Sequence, residues 1–256
     1  MDQFVQQQLE RMTWLSHDLK EPLNTVYSAI QVLQMQDDSE VNQKYCRIAQ
    51  RHIYRMTRKI DQFTKYYEMV QGGVTLSIKM IDGKNFVESL CSAVQDCFTK
   101  QELDLTVEII GDGLVCLDEF LIEEAFVNLI SNGMKATKEK PCKIEVKAVL
   151  DEGAMTLSVR DFGCGIPSDD QKTILEPMIQ LDNFEQGTGL GLSIVSEVVK
   201  RHGGELKIES EPGKGSLFMM KIAFQQPDES DLVQLKQSHP DLERLQRVRM
   251  ALADLL

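Results

Sequence analysis

Leu15-Ser16-His17-Asp18-Leu19-Lys20-Glu21-Pro22-Leu23 sits inside the longest regular pattern of the chain. Apolar residues step along it by alternating threes and fours: Val5, Leu9, Met12, Ser16, Leu19, Leu23, Val26, Ile30 and Leu33, with Ser16 the one polar interruption. Such a stripe describes a helix packed lengthwise against other helices. Gln36-Asp37-Asp38-Ser39 breaks it and offers capping residues for a second helix. That helix carries Met56, Ile60, Phe63, Tyr67 and Val70 at similar steps, and Gly72-Gly73 ends it. A two-helix hairpin cannot bury both faces of its seam alone, whereas two copies make a four-helix bundle, so a homodimer is expected.

Beyond Gly73 the texture becomes mixed α/β. Alternation predicts strands over Val74–Ile81, Leu105–Ile110, Val115–Leu117, Lys143–Leu150, Met155–Asp161, Glu205–Ser210 and Ser216–Phe224. Helical spacing predicts helices over Asn85–Lys100, Asp118–Thr137 (opened by an N-cap aspartate and Glu119) and Gly189–His202. Interleaving of this kind implies an antiparallel or mixed sheet with helices on one face. The expected domains are therefore 1–73, 74–225 and a tail, 226–256. In that tail Leu242, Leu245, Val248, Met250, Leu252 and Leu255 could line a short helix of unreadable role.

Composition narrows the function. Lys and Arg total 28 against 40 Asp and Glu, a net charge of −12, which argues against nucleic-acid binding. Six scattered cysteines form no CxxC pair, so reduced thiols are expected and a zinc site is unsupported. No apolar run approaches the roughly 18 residues that span a bilayer, and no signal peptide is visible. The expectation is a cytoplasmic chain without membrane contact, any anchor lying in a segment outside it.

Four segments carry chemistry. His17 lies one residue off the heptad seam, which turns its imidazole toward solvent as a nucleophile, with Asp18 beside it to orient the ring or take its proton. Pro22 leaves the Asp18 carbonyl without its helical partner, so a bend is expected one turn beyond the histidine. In the second segment Glu124, Asn128, Asn132 and Lys135 fall at steps of four, four and three, and so share a helix face. Amide and carboxylate oxygens suit a hard divalent cation, and the lysine suits phosphate; a solvated polar face is the alternative. The third is Asp161-Phe162-Gly163-Cys164-Gly165-Ile166-Pro167, whose carboxylate can accept the exocyclic amine of adenine while Gly163 and Gly165 let backbone approach the base. The fourth, Gly187-Thr188-Gly189-Leu190-Gly191-Leu192-Ser193, runs a glycine loop into a helix whose free N–H groups can meet a triphosphate. There is no GxxxxGK[ST] motif, which excludes a P-loop.

In this order the four segments resemble the histidine, asparagine and two glycine boxes of sensor histidine kinases, a likeness that covers about residues 5–224. Gly203-Gly204 and Glu211-Pro212-Gly213-Lys214-Gly215-Ser216 resemble the family's closing strands. The resemblance implies a fold of α plus α/β class: a helical hairpin forming a dimeric four-helix bundle, then an α/β sandwich ATP-binding domain of the Bergerat type. It implies that ATP phosphorylates His17 and that the group then passes to an aspartate on a response regulator receiver domain. Asn128 would hold Mg²⁺, Asn132 and Lys135 would lie near the phosphates, and Glu124 would assist the metal or the proton. Asp161 would read adenine, and Gly187, Thr188, Gly189, Leu190 and Gly191 would shape the ATP lid.

Some positions depart from the family. Glu21 stands where many members have threonine or asparagine, which leaves phosphatase activity open. Leu175-Glu176-Pro177-Met178 keeps only the Glu-Pro of the phenylalanine-rich box, and Gly133 and Ala136 replace a commoner alanine and phenylalanine. The competing readings are a pseudokinase dimer that docks a regulator without turnover and a gyrase-type ATP-driven clamp. His52 is expected to be a packing residue, His202 a helix C-terminal residue favoured by the dipole, and His239 a loop residue.

Overall fold

The computed structural model describes residues 2–35, 39–151, 153–179, 189–223, 242–252 and 255. Two long helices come first, α1 (Asp2–Met35), which runs through Pro22 as one element, and α2 (Ser39–Val70). Gly72 takes φ +78° and the Gly73 N–H donates to the Glu68 carbonyl at 2.8 Å, the wrap that closes α2 where the sequence predicts its end.

By packing, the chain divides into two units, Met1–Asp61 and Gln62–Leu252, so the last turns of α2 belong to the second unit. In the first unit Val26, Ala29 and Ala49 are buried, with Tyr45, Ile48 and Met56 packed against them. Leu23, Tyr27, Ile30, Ile53, Tyr54 and Ile60 are exposed. The heptad seam is thus shared between two directions: Val26 faces inward across the hairpin, while Leu23 and Ile30 face outward.

The second unit is built on a five-stranded sheet. Its strands are β2 (Leu103–Ile110), β4 (Cys142–Asp151), β5 (Ala154–Asp161), β7 (Gly215–Ala223) and β6 (Glu205–Glu211), in that spatial order. β2 and β4 are parallel and the other neighbours antiparallel, so the sheet is mixed. A separate antiparallel pair joins β1 (Lys79–Asp82) to β3 (Leu114–Leu117). Alternation sets the inner face: Cys142, Ile144, Val146, Ala148 and Leu150 of β4, and Met155, Leu157 and Val159 of β5, are buried. Against them pack α3 (Gly83–Gln95), α4 (Glu119–Ala136) and α5 (Gly191–Arg201), contributing Phe86, Leu90, Phe126, Ile130, Ile194 and Val198 to one core. A 3₁₀ turn, Thr173–Leu175, is all the regular structure that the degraded phenylalanine box retains.

The helix predicted over Asn85–Lys100 ends at Gln95, and two further segments depart from the sequence reading. Only the end of Val74–Ile81 is a strand, because its earlier backbone groups pair with side chains: the Ser77 N–H with Asp118 Oδ2 (2.8 Å) and the Val74 carbonyl with Arg201 (2.8 Å). The second is α6 (Leu242–Ala251), which docks on α3 and α4 through Val248, Leu252 and the buried Arg244, while Met250 is exposed. None of the six cysteines forms a disulfide, and burial pushes the Cys91 thiol up to about 12.

Candidate functional site

At the end of β5, Asp161 falls on the buried parity of the strand and is 4% exposed. One of its oxygens, Oδ1, accepts from the Gly163 N–H (2.9 Å) and the Ser216 N–H (3.3 Å). Burial raises the carboxyl above the ordinary aspartate value; those two N–H groups, the Ser216 hydroxyl and Arg160 pull partly the other way. Backbone closes around it. Gly165 takes φ +68°, and a Cβ there would stand 2.0 Å from the Glu211 carbonyl oxygen, so only glycine fits. The Gly213 N–H donates to the Cys164 carbonyl at 2.7 Å, tying the loop to the β6–β7 turn. Gly133 also finds its reason here: a Cβ on it would stand 3.0 Å from that of Asp161 and 3.3 Å from Ile144 Cδ1, so its absence lets α4 lie against the strand end.

Along α4, Asp118 caps the helix by accepting from the Phe120 and Leu121 N–H groups. Asn128 is 4% exposed, and Asn132 and Lys135 are half-buried further along the same face. Gly191, the first residue of α5, faces them: a Cβ there would lie 3.4 Å from Asn128 Oδ1 and 3.6 Å from Asn132 Nδ2. The asparagine face of α4 therefore meets the N-terminus of α5, whose Leu190 N-cap position supplies no side-chain acceptor. Gly189 and Leu190 lead into this junction. The Gly189 carbonyl accepts from the Met178 N–H at 2.9 Å, and Met178 itself takes φ +66°. Gly187 and Thr188 lie outside the described residues.

Two residues that the sequence did not single out complete this end. Gln62 Nε2 donates to Asn128 Oδ1 at 2.8 Å, and Lys65 Nζ meets Glu124 Oε2 at 2.6 Å. Both come from the last turns of α2. Nothing local announces them, since their partners are 66 and 59 residues away. On the other flank of α4, Glu123 is held by Arg244 Nε (3.1 Å) and Arg247 Nε (2.8 Å), and Arg244 also pairs with Glu119 and Ser89. Here a signal existed: Arg244, Val248 and Leu252 share one helical stripe, which puts a charge on the apolar face of α6.

His17 and Asp18 are residues of α1, and their side chains lie outside the described residues. His202 ends α5 as expected and does more. Its Nδ1 donates to the Val198 carbonyl (2.8 Å) while Nε2 accepts from the Asp118 N–H (3.0 Å), joining the end of α5 to the start of α4. His52 is half-buried, and burial followed by the charges of Arg55 and Arg51 holds its pKa down, in keeping with a packing role. His239 falls outside the described residues.

Two family models match the chain. His Kinase A (phospho-acceptor) domain covers residues 7–69, and Histidine kinase-, DNA gyrase B-, and HSP90-like ATPase covers 117–226. The chain is a histidine kinase core. Among curated relatives, Phytochrome-like protein Cph1 of Synechocystis sp. is 28% identical over 212 residues, a match covering 81% of this core and 28% of Cph1. The solved complex of histidine kinase ThkA with response regulator protein TrrA matches with a TM-score of 0.67 and 21% identity, over 84% of the core and 61% of that chain. Full-length ShkA in complex with AMPPNP matches with a TM-score of 0.64 and 21% identity, over 85% of the core and 46% of ShkA. These structural likenesses establish the shared fold. The core spans less than a third of Cph1 and under half of ShkA.

Proposed function

We propose that this core transfers the γ-phosphoryl group of ATP to His17 and then to an aspartate of a response regulator receiver domain, working as a homodimer. What carries the reading is the junction in the second unit: the asparagine face of α4 against the N-terminus of α5, where Leu190 gives no side-chain cap, with Asp161 packed beside Gly133 of α4. Asp161 has the acceptor for an adenine amine. Gly163 and Gly165, where a Cβ would strike the Ala136 and Glu211 backbone, let the loop close tightly beside that carboxylate, and the α5 N–H groups together with Asn132 and Lys135 suit phosphate oxygens.

The donor set also fits Mg²⁺. Asn128 and Glu124 offer hard oxygens one turn apart, and no cluster of three His, Cys, Asp or Glu occurs among the described residues. A metal held by one or two protein oxygens plus the phosphates of the nucleotide is the usual manner for Mg²⁺. When bound it would neutralise phosphate charge. The chain's own chemistry is the rest. An imidazole nitrogen of His17 attacks the γ-phosphorus, the new N–P bond forms as the bond to the ADP oxygen breaks, and the ring's N–H proton leaves to Asp18 or Glu124. Thr188 and Gly187, with Gly189, Leu190 and Gly191, would close over the triphosphate. Incubation with γ-labelled ATP should put acid-labile, alkali-stable label on the chain and none on its His17→Gln variant; label persisting in that variant would overturn the assignment.

The outward apolar face of the hairpin supports the dimer. Leu23, Tyr27, Ile30, Ile53, Tyr54 and Ile60 are left in water by one copy, and a second copy presents the same residues to them. The ThkA–TrrA complex supports a receiver domain as the partner, and ShkA with AMPPNP supports a nucleoside triphosphate as the substrate.

A further inference from the structure

We propose that the last turns of α2 form a latch that competes with the metal-bound triphosphate for Asn128 and Glu124, so that the phosphate end of the site is closed until α2 shifts. This rests on the reading of Asn128 as the metal ligand. Gln62 and Lys65 are three apart and share a face of α2, while Glu124 and Asn128 are four apart and share a face of α4. The pairs run in opposite directions, 62 to 128 and 65 to 124, so both bonds can form at once between antiparallel turns.

The two occupancies exclude each other. Mg²⁺ needs an oxygen at about 2.1 Å within a near-octahedral shell, which demands open space beside the ligand. Asn128 Oδ1 instead accepts from Gln62 Nε2 at 2.8 Å, with Gln62 only 7% and Asn128 only 4% exposed. Glu124 is meanwhile paired with Lys65 at 2.6 Å, so both groups are engaged by α2 in this arrangement. The latch is also movable as a unit. α2 is one helix from Ser39 to Val70, so a rotation about its axis carries Gln62 and Lys65 off α4 together. At its end the helix stays tethered to α5, because Arg201 bonds the carbonyls of Met69, in the last turn of α2, and of Val74, so the movement is a pivot about that turn. Input reaching α2 thereby gates the metal site without disturbing Asp161.

The test is calorimetric titration of the full chain and of Gln62→Ala, Lys65→Met and the double variant, using Mg²⁺–AMPPNP and, in EDTA, ADP. If the latch holds about nine molecules in ten closed, the double variant binds Mg²⁺–AMPPNP about tenfold tighter, with metal-free ADP affinity unchanged. Lys65 is 48% exposed, so Lys65→Met keeps the test alive should a change at buried Gln62 prevent folding. Folded variants with unchanged or weaker Mg²⁺–AMPPNP affinity would overturn the latch, provided that Asn128→Ala removes the Mg²⁺-dependent part of binding. Should Asn128→Ala leave that part intact, the metal assignment itself fails and the latch with it.

Discussion

At the end of β5, Asp161 takes its partners chiefly from backbone, the N–H groups of Gly163 in the next loop and of Ser216 at the start of β7; on α4, Asn128 and Glu124 take theirs from side chains of another helix. A backbone-held pocket is built when the sheet forms and stays built. Side-chain pairs can be exchanged for a ligand at the cost of a rotamer change or a helix shift. Glu123 and Glu124, both held by side chains, add a contrast of burial within a single step of α4. Glu123 is sunk between Arg244 and Arg247 of α6, whereas Glu124 has one half-exposed lysine. The adenine end and the α6 flank are fixed, and the phosphate end is left adjustable.

The fixed flank should be the costliest to break. Arg244→Ala would leave Glu123 and Glu119 in the interior without their shared cation, a loss of about 3–5 kcal/mol in urea unfolding. A compensating Arg244→Met, Glu123→Leu pair should regain most of it; a single variant within 1 kcal/mol of wild type, by the same rough scale, would mean that α6 is ornamental. Next, Gly165→Ala must push a Cβ into the Glu211 carbonyl at a positive φ, which should cost roughly 1–3 kcal/mol and lower ADP affinity with it.

How much of this was legible follows from range. Heptads, alternation and caps are local, so the hairpin, α4 with its Asp118 cap and the strands flanking Asp161 could be read from the sequence within a residue or two. Val74–Ile78 alternates too, yet its backbone is claimed by Asp118 and Arg201, which only tertiary packing decides. Apolar counting on α6 picked Met250 and passed over Arg244, because a buried arginine needs carboxylates from elsewhere to make sense. Gln62 and Lys65 were invisible for the same reason: their partners lie on a helix some sixty residues on. The asparagine face was legible as a surface, and its pairing with Gly191 was not.

Asp161 gives the comparison a pH signature. Its carboxyl sits above the usual 3.8, so between that value and the raised one the folded chain holds more protons than the unfolded. This group's contribution to stability therefore declines as pH rises through that window and is flat beyond it. Thermal melts of Asp161→Asn should lack that decline. ADP affinity of the wild type should fall as pH drops through the raised value, at a higher pH than an ordinary aspartate would give; parallel curves for both proteins would contradict the burial argument. The smallest effect is expected at the adjustable end: Lys65→Met, removing a half-exposed ion pair, should change stability by less than about 1 kcal/mol.

The most direct measurement takes the two ends apart in one protein. Asn128→Ala removes the oxygen that Gln62 now holds and leaves Asp161 with its loops whole. It should abolish labelling of His17 by γ-labelled ATP while ADP affinity by calorimetry stays close to wild type. Labelling at the normal rate would contradict the account, reducing the asparagine helix to a polar face.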